Sequence, residues 1–347
     1  MKKVFRLVAV VAATVMAATT FVAPATAATK VKVGLAFDIA GRGDKSFNDS
    51  AAAGLDQAKK KFKVTAREVT ASSDSEREDK LRLLAKAGYN PIIAVGFAYA
   101  GPLKAVASDY PNVQFAIIDD ASIELLNVAS LVFSEEQGSY LAGVAAALGS
   151  KSGKVGYIGG VRVPLLQKFQ AGFAAGAKAT NKKVTVDVKY IEESSFSGFN
   201  DPAKAKVIAK GMIDRGVDVI YTAAGGSGAG TFTAAIEAGK AGKKVWTIGV
   251  DSDQWLTASA AEKKNMLTSM LKRVDRAVYD VIATSVAGSS VNDILDENKG
   301  IYGRRYDLTL EGVGVSYSGG YITKFKSQID KAAAAIKSGK IVVPTKP

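Results

Sequence analysis

Cysteine and histidine are both absent from this 347-residue chain. Without cysteine there can be no disulfides, thiolate nucleophiles, iron–sulfur clusters or cysteine zinc sites, and no thiol to accept a lipid behind an export signal. Without histidine the commonest general base, the commonest metal ligand and every histidine-based triad are excluded. Any enzymatic chemistry would have to run on Asp, Glu, Lys or Tyr, which removes most ordinary hydrolase mechanisms. Long apolar runs are lacking too. The uncharged stretch from Leu7 to about Phe21 is about fifteen residues, against roughly twenty for a bilayer-spanning helix, and no other segment is long and apolar enough.

That short stretch reads instead as an export address. Lys2, Lys3 and Arg6 precede it, and it breaks at Pro24 into Ala25-Thr26-Ala27, the small-x-small pattern cut by a signal peptidase. The pattern predicts a signal peptide over residues 1–27 and a mature chain from Ala28. That chain is expected to be soluble, periplasmic or secreted, and not lipid-anchored.

Acidic residues are in deficit, 33 against 46 basic ones, for a formal charge of +13. Nucleic-acid binding would need those cations gathered with aromatics. They are scattered instead through helical segments such as Ala58 to Lys63 and Lys324 to Lys337, which predicts a solvated basic surface and no nucleic-acid partner. The mature chain, roughly 320 residues, is the size of two lobes rather than one core.

Apolar β-branched runs alternate with stretches rich in Ala, Lys and Leu. Strands are predicted over Lys32–Phe37, Phe62–Val69, Pro91–Val95, Gln114–Ile118 and Val128–Phe133. A second series covers Lys154–Ile158, Val184–Tyr190, Val217–Thr222 and Lys244–Val250. Helical stretches such as Asn48–Lys61, Glu76–Gly88 and Ala203–Gly216 separate them, so two doubly wound α/β domains with parallel sheets follow. Beyond Asp251, Leu267 to Gly288 reads as a further helix, Asp307 to Tyr317 as one or two paired strands, and Tyr321 to Gly339 as a closing helix. Strand ends stop at Asp38, Gly96, Asp119, Gly159, Gly225 and Asp251, and open α/β sheets bind ligands outside such ends.

Several of these ends carry candidate chemistry. In Asp38-Ile-Ala-Gly-Arg-Gly-Asp44-Lys-Ser46-Phe47-Asn48, Ser46 or Asn48 could cap the following helix. Phe47 has no evident core to join and could stack on a flat ligand. Ala223-Ala-Gly225-Gly226-Ser227-Gly228-Ala-Gly230 lets backbone N–H groups approach a ligand at a helix start; its spacing is not the dinucleotide fingerprint, and a plain turn explains it as well. Asp251 can accept hydrogen bonds from vicinal hydroxyls, whereas Asp253 fits a surface turn cap better. Phe196 and Phe199 lie in a polar loop before Asp201-Pro202, where Asp201 can cap and Pro202 can start a helix. Lys272 follows an apolar stretch and could reach a ligand oxygen or simply face solvent.

Together these motifs resemble the basic membrane protein family, whose best-understood branch holds the purine nucleoside receptor-like binding lipoproteins of ABC importers. The resemblance runs nearly the length of the mature chain. It is carried by Gly34-Leu-Ala-Phe-Asp38, Asp44-Lys-Ser-Phe-Asn48, Gly138-Ser-Tyr-Leu-Ala-Gly143, Val155-Gly-Tyr-Ile-Gly-Gly160, Ala171-Gly-Phe-Ala-Ala-Gly176, Asp201-Pro-Ala-Lys, Ala224-Gly-Gly-Ser-Gly-Ala-Gly230, Gly249-Val-Asp-Ser-Asp-Gln254 and Leu267-Thr-Ser-Met-Leu-Lys272.

The resemblance implies a type I periplasmic-binding-protein fold, two Rossmann-like lobes joined by three crossover strands near Phe133–Glu135, near Asp251 and near residues 289–300. The first lobe would comprise 28–134 plus 252–290, the second 135–251 plus 291–347. It also implies a site in which Phe47 and a second aromatic, Phe199 rather than Phe196, sandwich a base. In that site Asp38, Ser46 and Asn48 contact the ligand, Asp251 and Lys272 hold a ribose, and Gly226 and Gly228 offer backbone groups. The lipid-accepting cysteine of the family is missing, and extra residues stand between Gln254 and Met266. The expected protein is a monomeric, cofactor-free, non-enzymatic receptor that delivers a purine nucleoside to an ABC permease. A sugar or other polar solute, or a nucleoside-processing enzyme, are the alternatives.

Overall fold

A computed structural model describes residues 30–296 and 301–347; the expected signal peptide and part of the expected third crossover lie outside the described residues. The first lobe begins with β1 (Lys32–Phe37), α1 (Phe47–Phe62), β2 (Thr65–Thr70), α2 (Glu76–Lys86), β3 (Ile92–Ala94), α3 (Ala100–Asp109), β4 (Phe115–Ile118) and β5 (Val128–Phe133). The second continues with α4 (Glu135–Gly149), β6 (Lys154–Val161), α5 (Pro164–Thr180), β7 (Thr185–Glu192), α6 (Pro202–Asp214), β8 (Val219–Ala223), α7 (Gly228–Lys240) and β9 (Trp246–Asp251). Buried apolar runs such as Val33 to Phe37 and Val128 to Phe133 form strands because helices cover both faces of a parallel sheet. All nine strands predicted in the two series form, within a few residues of their expected ends.

The final third departs from expectation. Met266–Lys272 is a strand, β10, and only Val274–Val286 is helical, α10. The 266–272 segment is buried on both faces, Thr268 and Ser269 included, so it carries no period that separates strand from helix, which is why Leu267 to Gly288 reads as one helix. The extra residues before β10 fold into two one-turn helices, α8 (Gln254–Thr257) and α9 (Ala260–Lys263), the second closed by a Ser259–Glu262 capping box. Two short strands follow, β11 (Gly303–Tyr306) and β12 (Val313–Val315), then α11 (Lys326–Lys337).

The strands make two six-stranded sheets, ordered β11-β5-β4-β3-β1-β2 and β12-β10-β9-β8-β6-β7. Pairing is parallel between the named strands except for β12, which runs antiparallel to β10. This corrects the expected lobe boundaries, because β10 belongs to the second sheet and β11 to the first. The chain crosses at 133–135 as expected, then between β10 and α10, which packs on α1, and between β11 and β12. Asp251 is not a crossing point, since β9 passes directly into the neighbouring β10.

One apolar cluster runs through both lobes, and separate clusters fill the outer face of each. In the second lobe α4 and α5 cross so closely that a Cβ at Gly172 would lie 2.1 Å from the Glu136 carbonyl oxygen, and one at Gly176 2.0 Å from that of Tyr140. Gly143, where a Cβ would lie 2.1 Å from the Phe173 carbonyl oxygen, Gly172 and Gly176 are therefore packing requirements of this helix pair. No helix among the described residues is long and apolar enough to cross a membrane.

Candidate ligand site between the lobes

The carboxyl ends of β1, β3 and β4 face those of β8, β9 and β10 across a cleft enclosing about 590 Å³, open solvent at its mouth included. Asp38, Asp44, Phe47, Asn48, Phe97 and Asp119 line it from one side, and Phe169, Phe199, Gly225, Asp251 and Lys272 from the other. The lobes touch across it. Ser46 donates its hydroxyl to Asp251 Oδ2 at 2.5 Å, Ser252 donates to the Ser46 carbonyl at 2.8 Å, and Gln254 Nε2 to the Lys45 carbonyl at 2.9 Å.

The β1–α1 loop is held from within. Neither Ser46 nor Asn48 caps α1; the Asp44 carboxylate does, accepting from the N–H groups of Ser46, Asn48 and Asp49 at 2.8 to 3.0 Å. Asn48 instead ties the loop, accepting from the Asp38 N–H at 3.2 Å and donating to the Ile39 carbonyl at 3.2 Å. Asp38 takes the Ile39 N–H and the Arg77 guanidinium on Oδ1, at 2.8 and 3.0 Å. Burial raises its pKa against those two partners. Ser46 is fully buried and lies outside the cavity lining, its hydroxyl engaged by Asp251.

Asp251, the last residue of β9, and Asp119, which follows β4 on the facing lobe, both have φ in the left-handed region, 64° and 70°. Non-glycine residues hold that conformation at a cost of about 1–3 kcal/mol, and such outliers gather at functional sites. Lys272 is buried beside them, its Nζ 2.6 Å from Asp119 Oδ2 and 3.3 Å from Glu135 Oε1. The Phe47, Phe133 and Phe169 rings stand 5.1 to 5.5 Å from the ammonium, within cation–π reach. Burial opposes the charge on Lys272, but Asp119, then Glu135 and Asp251, outweigh it and lift the pKa above the ordinary lysine range. Burial pushes Asp251 up to about 7 and Asp119 up to about 6, with Lys272 restraining both.

Between an ordinary carboxylate pKa and about 7, folded Asp251 keeps a proton that the unfolded chain has lost, so its presence lowers stability as pH rises through that window. Asp251→Asn removes this cost, and asparagine tolerates the left-handed backbone. The variant is expected to melt roughly 2–4 °C higher at about pH 8, with the gain gone near pH 4. Thermal denaturation at the two pH values checks it.

Phe47 and Phe199 lie on the cavity wall, whereas Phe196 sits off it, 5.5 Å edge-on from Phe97 and beneath the Arg77 guanidinium. Asp201 caps α6 by accepting from the Lys204 N–H at 2.8 Å, with Pro202 first in the helix. In the glycine loop Gly225, at φ 53°, reaches the cavity, while Gly226 and Gly228 do not. The loop turns through a 3-10 segment at Gly225–Ser227 before α7, which carries the next residues away from the wall.

A family model for PnrA-like ABC transporter substrate-binding proteins, Bmp, matches residues 30–345. The chain belongs to the Bmp family. It is 35% identical over 328 residues to the CD4+ T-cell-stimulating antigen of Listeria monocytogenes, covering 91% of this chain and 88% of that one. It is 31% identical over 330 residues to the ABC transporter nucleoside-binding protein BmpA of Lactococcus lactis, covering 92% and 90%. An ABC transporter solute-binding protein from Aeropyrum pernix K1 matches in structure with a TM-score of 0.77 at 28% identity, over 90% of this chain and 94% of that one. This Bmp protein is therefore an ABC substrate-binding protein, with two α/β lobes of the type I periplasmic-binding-protein fold.

Phe97, Phe169 and Asp119 in the lining of the Bmp cleft, and Arg77 beside Asp38, are not assigned to the site by the sequence. Phe97 and Phe169 are apolar wall residues in helical surroundings, indistinguishable by pattern from core. Asp119 was visible as a strand end, and its partner Lys272 was named, but 153 positions separate the two. Arg77, 2% exposed and bound to Asp38 and Asp74, looks in sequence like one more surface cation of a charged helix.

Proposed function

We propose that the protein is an exported, unlipidated receptor that captures a purine nucleoside between its lobes and presents it to a membrane permease. The reading rests on one observation above the rest. Aromatic walls from both lobes, Phe47 and Phe199, share a cavity with Asp251 and Lys272. The two rings sandwich the base, whose faces are apolar and whose edges are polar. Asp251 accepts from ribose hydroxyls and Lys272 donates to them, while Asp38, both of whose protein bonds fall on Oδ1, keeps Oδ2 for a polar edge of the ligand. Asn48 is spent on the loop and serves as its brace.

Closure brings Ser46 onto Asp251 and Asp119 onto Lys272, so the groups that hold the ligand also hold the lobes together. The proposed role involves no bond making. The nucleoside-binding relative in Lactococcus lactis supports the ligand class. The test is to denature the purified protein and record the mass and ultraviolet absorbance of what it releases. A purine nucleoside is expected; a hexose would replace the nucleoside reading with sugar capture.

A further inference from the structure

Glu135 opens α4 directly after the first crossover, ahead of the Gly138-Ser-Tyr-Leu-Ala-Gly143 motif. It does not line the cavity, is 1% exposed, and neither carboxylate oxygen has a hydrogen bond. A carboxylate buried in this way is costly unless charges compensate it. Two ammonium groups do so at ion-pair distance: Lys272 Nζ from β10, 3.3 Å from Oε1, and Lys168 Nζ from α5, 3.7 Å from Oε2. Asp119, on the loop after β4, takes the other side of Lys272, and Asp251 at the end of β9 adds to its field. Glu136 on α4 and Arg305 on β11 complete the charged groups around the joint.

The partners of Lys272 differ in where they are anchored. α4 packs against β10 within the second lobe, so Glu135 and Lys272 travel together. Asp119 belongs to the first lobe and meets Lys272 across the cleft. We propose that Glu135 is a positioning residue that keeps the Lys272 ammonium charged and oriented while the lobes are apart, so that closure delivers Asp119 and the ligand onto a lysine already in place. An ammonium has three donors. Asp119 takes one, Glu135 Oε1 stands beside the ammonium at ion-pair distance without a hydrogen bond, and donor capacity remains for a ligand oxygen. Fixing a contact group before the ligand arrives lowers the ordering cost of binding. Only the choice of inosine as probe rests on the nucleoside reading.

The test uses the full mature protein with 15N-labelled lysine, the Lys272 ammonium resonance being identified by its loss in Lys272→Arg. In ligand-free protein Glu135→Gln is expected to shift or broaden this resonance, while Glu135→Asp, which keeps the charge, moves it less. Inosine affinity at about pH 8 is expected to drop about tenfold in the Gln variant and to recover partly in the Asp variant, the scale on which losing an outer partner of a site ligand weakens binding. Protonating Asp119 removes its ion pair with Lys272 and is expected to weaken binding on the acid side; because the Glu135 charge helps raise Asp119, that loss moves to lower pH in Glu135→Gln, which a merely structural role would not produce. An unchanged ammonium resonance in Glu135→Gln, or an unchanged inosine affinity and pH profile, overturns the assignment. Failure of the unaltered protein to bind any of inosine, guanosine and adenosine removes the nucleoside reading instead, and the resonance comparison then decides Glu135 alone.

Discussion

Lys272→Met is expected to cost about 3–5 kcal/mol of stability near neutral pH and to abolish ligand capture, the penalty for stranding buried charge without its partner. Three buried carboxylates face this ammonium, Asp119, Glu135 and Asp251, of which Glu135 has Lys168 as a second partner. Methionine fills the same volume, so the loss is electrostatic rather than a cavity effect. The pH dependence separates these causes. Asp119 and Asp251 are raised to about 6 and about 7 with Lys272 restraining them, and without it both rise further. The folded variant then holds more protons than the unfolded chain over a wider range, so its stability falls more steeply as pH rises. The melting difference from the unaltered protein should be large at about pH 8 and small at about pH 5. Equal differences at both values would mean that packing, not charge, is what Lys272 provides.

Phe47→Ala and Phe199→Ala are each expected to weaken inosine binding by about 1–3 kcal/mol, roughly 5- to 150-fold. Together they should bring binding near the detection limit, because each ring covers one face of the base. Neither should alter stability as much, since both side chains are only half-buried at the cavity wall. Phe196→Ala supplies the control. Its ring packs on Phe97 and under Arg77 outside the cavity, so its loss should loosen the seam between the lobes with a smaller effect on affinity. Calorimetric titration of the three variants reads the order directly, and a Phe196 effect larger than that of Phe199 would reverse the assignment.

What the sequence disclosed follows the range of the interactions involved. Strands such as Lys32–Phe37 and Val128–Phe133 are legible because local composition and length settle them, and the caps and aromatics at Phe47 and Asp201 because their loops are short. β10 was misread because burial on both faces erases periodicity, and with it went the second crossover and the sheet to which 266–272 belongs. Ser46 was placed among ligand contacts, yet its hydroxyl is taken by Asp251, 205 positions away. Similar separation hides the joining of Asp119 and Lys272, each legible in sequence by itself, with Glu135, which is not; the three form a single charged cluster beside the first crossover.

The central claim is that this cleft takes a purine nucleoside, and calorimetric titration of the purified mature protein with inosine, guanosine and adenosine at about pH 8 tests it most directly. Saturable binding of at least one of them with Kd below about 100 μM is predicted, lost in Asp251→Ala. No heat from any of the three, with binding of a hexose or other sugar in their place, would contradict it.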